Sequence, residues 1–488
     1  MTALFSVPAL VPLIPLVAAC LLAVVGDVAL GAWIAILASG LALAAACLLP
    51  GAQQASVFLL VDPLSAHVAL LTAFVGFTTA LYSRGYIRRA VLAGGFDRVA
   101  ACRYHALFMA FLGFMLLALL SNNLGVTWVA LEAATISAVL VVGLARTPAA
   151  IEASWKYFLL CGVGIALALF GTVVLYLAAL PALGPGTAAM SWTELAKAAP
   201  QCRGTLLNLA FVFLLLGYGT KAGLAPLHGW LPDAHAEGPT PVSAVLSGSV
   251  LNVALVVILR LRGVMDANAD AIAPGPPIMA MGLLSVLLAA FSLWGRRDVK
   301  RFFAFSSIEQ SGIAAFAFGL GGHVAIFAGL LHMSAHTLAK SAVFQCVGRA
   351  AQRRGGQLFT DLSGLLTTDR ALGLTLAVAI LAVAGVPPFG LFASEMMIMG
   401  EAIRVQPLLA LPLGLGLVVG FWALAARLIS LCLGAEGNAA LPRESHGTPA
   451  GWAALLPAWA HLALVLGLGF AMPETVRLWF AAASGVLR

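Results

Sequence analysis

Five lysines stand against 21 arginines in this chain of 488 residues, and four of the five touch apolar segments. Lys221 and Lys340 lie within apolar runs, Lys156 begins one, Lys300 stands at the mouth of another, and only Lys197 sits plainly in a loop. An ionisable group at the centre of a membrane helix costs on the order of 2.5–3.5 kcal/mol on insertion scales. It persists where it pairs, faces a wet cavity or relays charge. Lysine is also the basic side chain whose proton affinity shifts readily on burial, whereas arginine stays charged. Arginine on the loops and lysine in the core therefore point to proton handling. Snorkelling to the interface accounts for Lys300 and serves Lys156 as well as a buried role does. It is a poor account of Lys221 and Lys340.

The acids follow the same logic. Glu132 lies in the middle of the apolar run Thr127–Ala134, Glu309 lies inside the run that follows Lys300, and Glu395 follows Pro387-Pro388-Phe389-Gly390. His332, His336 and Lys340 are spaced i, i+4, i+8, which stacks them along one face of a helix. Two histidines and a lysine on one stripe favour a hydrated relay over packing. The histidine pair has metal-ligand spacing, but no local acid or cysteine accompanies it, so no metal is expected. Lys156, His228, Asp233 and Glu309 form a second tier of candidates.

Two apolar runs are interrupted, one at Gly217–Pro226 and the other at Ala384–Gly390. Irregular backbone is tolerated at membrane depth only where it is buried or lines a cavity. Matching interruptions in two halves of a transporter mark the conducting site. Each carries an ionisable residue, Lys221 or Glu395. The breaks fall in the seventh and twelfth runs, which suggests a five-helix repeat.

The elements that must position these groups are membrane helices. The composition is 62% hydrophobic and 9% charged, against about 25% charged in a soluble domain. The chain reads as an all-α polytopic membrane protein. About fourteen runs are long enough to cross a bilayer, near 6–25, 31–50, 63–83, 105–121, 123–144, 156–181, 206–225, 240–261, 276–294, 302–320, 323–347, 371–399, 407–433 and 452–471. Ser121-Asn122-Asn123 makes a tight turn between two of them, and 84–104, 182–205, 348–370 and 434–451 read as loops. With alternating spans, 15 of the 21 arginines fall on one side, among them Arg84, Arg98, Arg103, Arg146, Arg353 and Arg443. Cytoplasmic loops hold such an excess, so both termini are expected outside the cytoplasm. Regions 1–104, 105–262, 276–433 and 452–488 are then an N-terminal helical region, two five-helix repeats, and a C-terminal helix with its tail.

The net charge of +7 comes without a basic run, so no nucleic-acid partner is expected. The seven cysteines are scattered with no C-x-x-C pair; this argues against iron–sulfur, zinc or disulfide sites. With no nucleotide-binding glycine fingerprint or P-loop, no cofactor or redox chemistry is expected of the chain alone.

Residues 221–248 read KAGLAPLHGWLPDAHAEGPTPVSAVLSG. This stretch resembles the signature of proton-conducting antiporter-like subunits of complex I, Mrp-type Na⁺/H⁺ antiporters and group 4 membrane-bound hydrogenases. Supporting matches run from about residue 60 to 400, and Ala153–Phe158 and Ser306–Glu309 most resemble the hydrogenase-4 F component. The resemblance implies two inverted five-helix repeats, each with a half-channel, joined by charged residues at the midplane. By position, Glu132 and Lys221 would form an acid–lysine pair, Lys300 or His332 and His336 the central link, and Glu395 the terminal group. The eighth span departs from many relatives: Ser247–Asn252 carries no lysine or histidine, and a neutral side chain orders water without holding the proton.

The implied function is proton translocation within a respiratory complex of the bacterial cytoplasmic membrane, beside other membrane subunits and a peripheral redox arm. The electron transfer would be of hydrogenase, formate or NADH–quinone type. A Mrp-like Na⁺/H⁺ antiporter subunit, a membrane scaffold and a partner of an inorganic-carbon uptake enzyme are the alternatives.

Overall fold

A computed structural model describes residues 6–435 and 452–486; Arg443 and Arg488 lie outside the described residues. Helices α1 (Val7–Val24), α2 (Val28–Ala46), α3 (Pro63–Leu92), α4 (Arg98–Leu120), α5 (Leu124–Val142) and α6 (Pro148–Leu183) run back and forth. A two-stranded ribbon, β1 (Gln54–Ala55) with β2 (Leu60–Val61), lies between α2 and α3. Helix starts are marked in the sequence. Asp27, Asp62, Asp97, Asn123 and Thr147 each accept a backbone N–H from the first turn of the helix that follows, which satisfies donors a helix otherwise leaves unpaired.

The short α7 (Trp192–Ala198) turns the chain into α8 (Gly204–Lys221), which stops at the first interruption and resumes as α9 (Leu231–Glu237). The next span joins α10 (Thr240–Val245), a π-helical turn (Leu246–Val250) and α11 (Leu251–Asp266). Then come α12 (Gly275–Leu293), α13 (Val299–Leu320) and α14 (Gly322–Arg354). After α15 (Phe359–Leu362) and α16 (Leu365–Thr368), α17 (Arg370–Val383) reaches the second interruption and α18 (Gly390–Val405) continues beyond it. The described chain closes with α19 (Pro407–Leu428), α20 (Leu456–Phe470) and α21 (Glu474–Gly485).

Among the described residues, ten helices qualify as membrane spans by length and apolarity, or twelve counting two bent pairs. The sequence expectation also counts α13 and α14. Both are long, at 22 and 33 residues, but they face protein on nearly every side and carry Glu309, Gln310, His332, His336 and Lys340. A helix sheathed by other helices need not match lipid. Two expected loops are largely helical, because α3 runs to Leu92 and α14 to Arg354. At 1.5 Å per residue, α14 spans about 50 Å and so outruns a hydrocarbon core of about 30 Å.

Candidate functional site

The first interruption is built by glycine and proline. Gly223 adopts φ +68°, a conformation glycine enters without penalty, and Pro226 follows. The backbone groups set free are satisfied by neighbouring helices, as membrane depth requires. Ser311 Oγ donates to the Ala222 carbonyl at 2.7 Å, Trp230 Nε1 to the Thr220 carbonyl at 2.8 Å, and the Ala225 N–H to Ser285 Oγ at 2.8 Å. This scaffold holds Lys221, 1% exposed, at the last turn of α8. Its ammonium lies 3.3 Å from Glu132 Oε2 and donates to Thr135 Oγ1 at 2.5 Å. Glu132 and Thr135 both project from α5. The Glu132 side chain is 20% exposed, so this chain does not cover it completely.

The second interruption repeats the first. Gly385 has φ +65°, and Pro388 stands as far beyond it as Pro226 stands beyond Gly223. Ten residues beyond each glycine, Glu395 matches Asp233. The Glu395 carboxylate occupies the space a Cβ on Gly385 would need, and the Gln310 side chain hydrogen-bonds with it.

Between the two breaks lie α13 and α14. Glu309 interacts with both Glu395 and Lys340, although one of its oxygens has no hydrogen-bond partner. Lys340 is wholly buried, donates to the Phe303 carbonyl at 2.8 Å and sits 5.2 Å from the Phe303 ring centroid. His336 and His332 follow it along α14, each close enough to interact with the next. His332 Nδ1 is 3.0 Å from Ser394 Oγ, the residue beside Glu395. The structure thus brings Glu309, Lys340, His336, His332 and Glu395 into one buried group, with Glu132–Lys221 across the Ser311 contact from it.

Lys300 corrects the sequence expectation of snorkelling. It is 5% exposed and donates to the Gly238 carbonyl at 2.9 Å, because α13 starts beneath the α9–α10 connection. It lies in the first turn of α13, whereas His332 and His336 lie well inside α14. Lys156 is at the surface, paired with Glu152 at 2.6 Å and Asp233 at 3.1 Å. Asp233 also meets Arg301 at 3.1 Å, so these residues form an ionic cluster that joins α6, α9 and α13. His228 is half-buried on the broken segment, 6.4 Å from the Phe305 ring centroid.

Buried His105, His235 and His461 escaped the sequence reading, and of these His235 lies nearest the candidate lysines. His235 stacks on Phe344 at 5.0 Å, has no partner for either ring nitrogen, and interacts with both Lys300 and Lys340. Its segment looks like a polar loop, and no periodic neighbour marks it. The Ser247–Asn252 stretch of the eighth span is uncharged, as read: Asn252 Nδ2 donates to Thr337 Oγ1 at 2.7 Å, and Ser247 Oγ meets Ser307 Oγ at 2.7 Å.

Residues 121–420 match the family model described as NADH:quinone oxidoreductase/Mrp antiporter, TM. A hydrogenase-4 component F homolog of Methylacidiphilum infernorum is 49% identical over 431 residues, 88% of this chain and 89% of that one. An NADH-quinone oxidoreductase subunit N of Desulforudis audaxviator is 27% identical over 345 residues, 70% of this chain and 66% of that one. A chain of the archaeal membrane-bound sulfane sulfur reductase, a respiratory membrane complex, shares the fold with a TM-score of 0.85. It is 23% identical, and the match covers 99% of this chain and 97% of that one.

Proposed function

The chain belongs to the NADH:quinone oxidoreductase/Mrp antiporter transmembrane family, and from that premise we propose that it translocates protons as a membrane subunit of a respiratory oxidoreductase complex. The complex would lie in the bacterial cytoplasmic membrane and carry a peripheral redox arm of hydrogenase, formate or NADH–quinone type. The observation that carries this reading is the Glu132–Lys221 pair at a broken helix, set beside a buried group that ends at a second broken helix.

Electrostatics makes the pair switchable. Two unit charges 3.3 Å apart attract by about 5 kcal/mol at an effective dielectric constant near 20. Desolvating each ion costs several kcal/mol. The two effects are of similar size, so a modest displacement of Glu132 decides whether Lys221 keeps its proton. Ser311, hydrogen-bonded to the broken segment and two residues from Glu309 on α13, ties the pair to the second half. Lys340, His336, His332 and Glu395 are the successive holders beyond. Lys300 and His235, reached from the ionic cluster at Asp233 and Arg301, serve as an entry branch to Lys340. In this scheme His235 supplies the titratable group that the Ser247–Asn252 stretch of the eighth span lacks.

We read 105–262 and 276–433 as inverted repeats. The support is the shared pattern of positive-φ glycine, proline and acid at the two breaks, on helices that cross in opposite senses. Proton movement is preferred to sodium exchange because the buried group sets a lysine and two histidines between two acids. Sodium would require carboxylate oxygens to replace its hydration shell.

The test is pumping in vesicles holding the assembled complex. Lys221→Ala and Glu132→Gln should each remove most of the proton translocation, since each deletes a positioned proton-transfer group. Electron transfer to artificial acceptors should persist. Unimpaired pumping in either variant contradicts the assignment.

A further inference from the structure

Away from the proton-handling groups, a cavity of about 1030 Å³ opens among the ends of four helices. The C-terminal ends of α1 and α5 and the N-terminal ends of α4 and α6 line it, so all four contribute the same end, at one face of the membrane layer. Its wall is apolar, including exposed Val24, Leu140 and Phe158, with Trp155 at the rim. Three arginines, Arg98, Arg103 and Arg146, line it as well, and no carboxylate does. The nearby acids are engaged elsewhere: Asp27 and Asp97 cap helices and Glu152 pairs with Lys156. This face is the one where the arginine excess lies, the side on which anionic lipids attract basic groups.

We propose that this cavity binds an anionic phospholipid, its phosphate held by Arg98, Arg103 and Arg146 and an acyl chain lying in the apolar groove between α4 and α5. The charge is concentrated at the membrane boundary and the apolar volume behind it, which matches an amphiphile. A soluble phosphate would leave the apolar wall wet, and an apolar protein helix would leave three arginines unpaired. Trp155 is placed as an interfacial anchor beside the headgroup.

The test uses the full-length chain, purified in detergent with its complex and offered equimolar phosphatidylglycerol and phosphatidylcholine. Native mass spectrometry then counts the lipids retained on this chain. Retention should favour phosphatidylglycerol by at least about tenfold, given the pull each arginine exerts near a membrane surface. The preference should collapse in the triple variant Arg98→Gln, Arg103→Gln, Arg146→Gln and survive in the control Arg88→Gln, Arg297→Gln. Ala106→Trp, which fills the cavity and spares the arginines, should also abolish retention; excess glycerol 3-phosphate should not compete. Equal retention of both lipids, or a preference unchanged by the triple variant or by Ala106→Trp, overturns the proposal. So does competition by glycerol 3-phosphate, or a photoreactive residue at Leu140 capturing a polypeptide in the assembled complex.

Discussion

Acidic residues divide by what they touch. Asp27, Asp62, Asp97, Asp298 and Asp369 accept backbone N–H groups at helix starts, which explains why so sparse a class recurs in short loops. Glu132, Glu309 and Glu395 lie within helices instead and face lysine, histidine or one another. This contrast is legible in the sequence, since an ionisable residue amid apolar ones stands out by type alone. Lys300 is less legible: α13 dips beneath the α9–α10 connection, and only the fold buries its stem. His235 is hidden because its burial comes from Phe344, more than a hundred residues away in sequence. At this scale Glu395→Gln should leave the complex assembled and slow pumping severalfold or more, because an amide keeps the Gln310 contact but carries no proton. Proton uptake by inverted vesicles, normalised to complex content, reads this out; undiminished uptake assigns Glu395 a structural role. His235→Gln should slow pumping while sparing assembly, and an unaltered rate would remove His235 from the entry branch.

Helix interruptions position these side chains. The breaks and their five-helix spacing were readable from Gly and Pro punctuation, but their residue-by-residue equivalence was not. It rests on backbone conformation, with both glycines at positive φ and a proline at the same later position. The sequence between them has drifted: Lys221 stands where the second break has Val383, and Asp233 where it has Glu395. Gly385→Ala should therefore do two things. It forces a side chain into the left-handed region, which costs about 1 kcal/mol or more, and its Cβ displaces the Glu395 carboxylate. A lowered Tm together with impaired pumping is the expected result, whereas Gly467→Ala, with open space around it, should leave both unchanged. A wild-type Tm and pumping rate for Gly385→Ala would show that the break tolerates another geometry.

Across the whole molecule, loops assigned to one side by arginine count bond to each other. Arg89 donates to Gln352 at 3.0 Å, and the Val299 N–H donates to the Gln357 carbonyl at 3.0 Å, joining 84–104, 295–301 and 348–370. On the opposite side Arg260 pairs with Asp62 at 2.8 Å, and Asn268 donates to the Cys202 carbonyl at 2.9 Å. Charge bias thus predicted the grouping of loops, although it could not foresee that two spans would be sheathed by protein. Cysteines introduced at Arg88 and Gln357 should both react with a membrane-impermeant maleimide only when it reaches the cytoplasmic face. Labelling of the two from opposite faces would contradict the alternating topology.

At the same scale, proton transport must join the two halves, and Lys221 is the group on which that claim rests. Lys221→Arg keeps a cation beside Glu132 but cannot release a proton at accessible pH. The direct measurement is the ratio of protons moved to electrons transferred, in vesicles containing complex shown to be assembled. The account predicts that Lys221→Arg lowers this ratio nearly as far as Lys221→Ala, with electron transfer continuing. A wild-type ratio with arginine at position 221 would contradict it, leaving the Glu132–Lys221 pair as a structural contact.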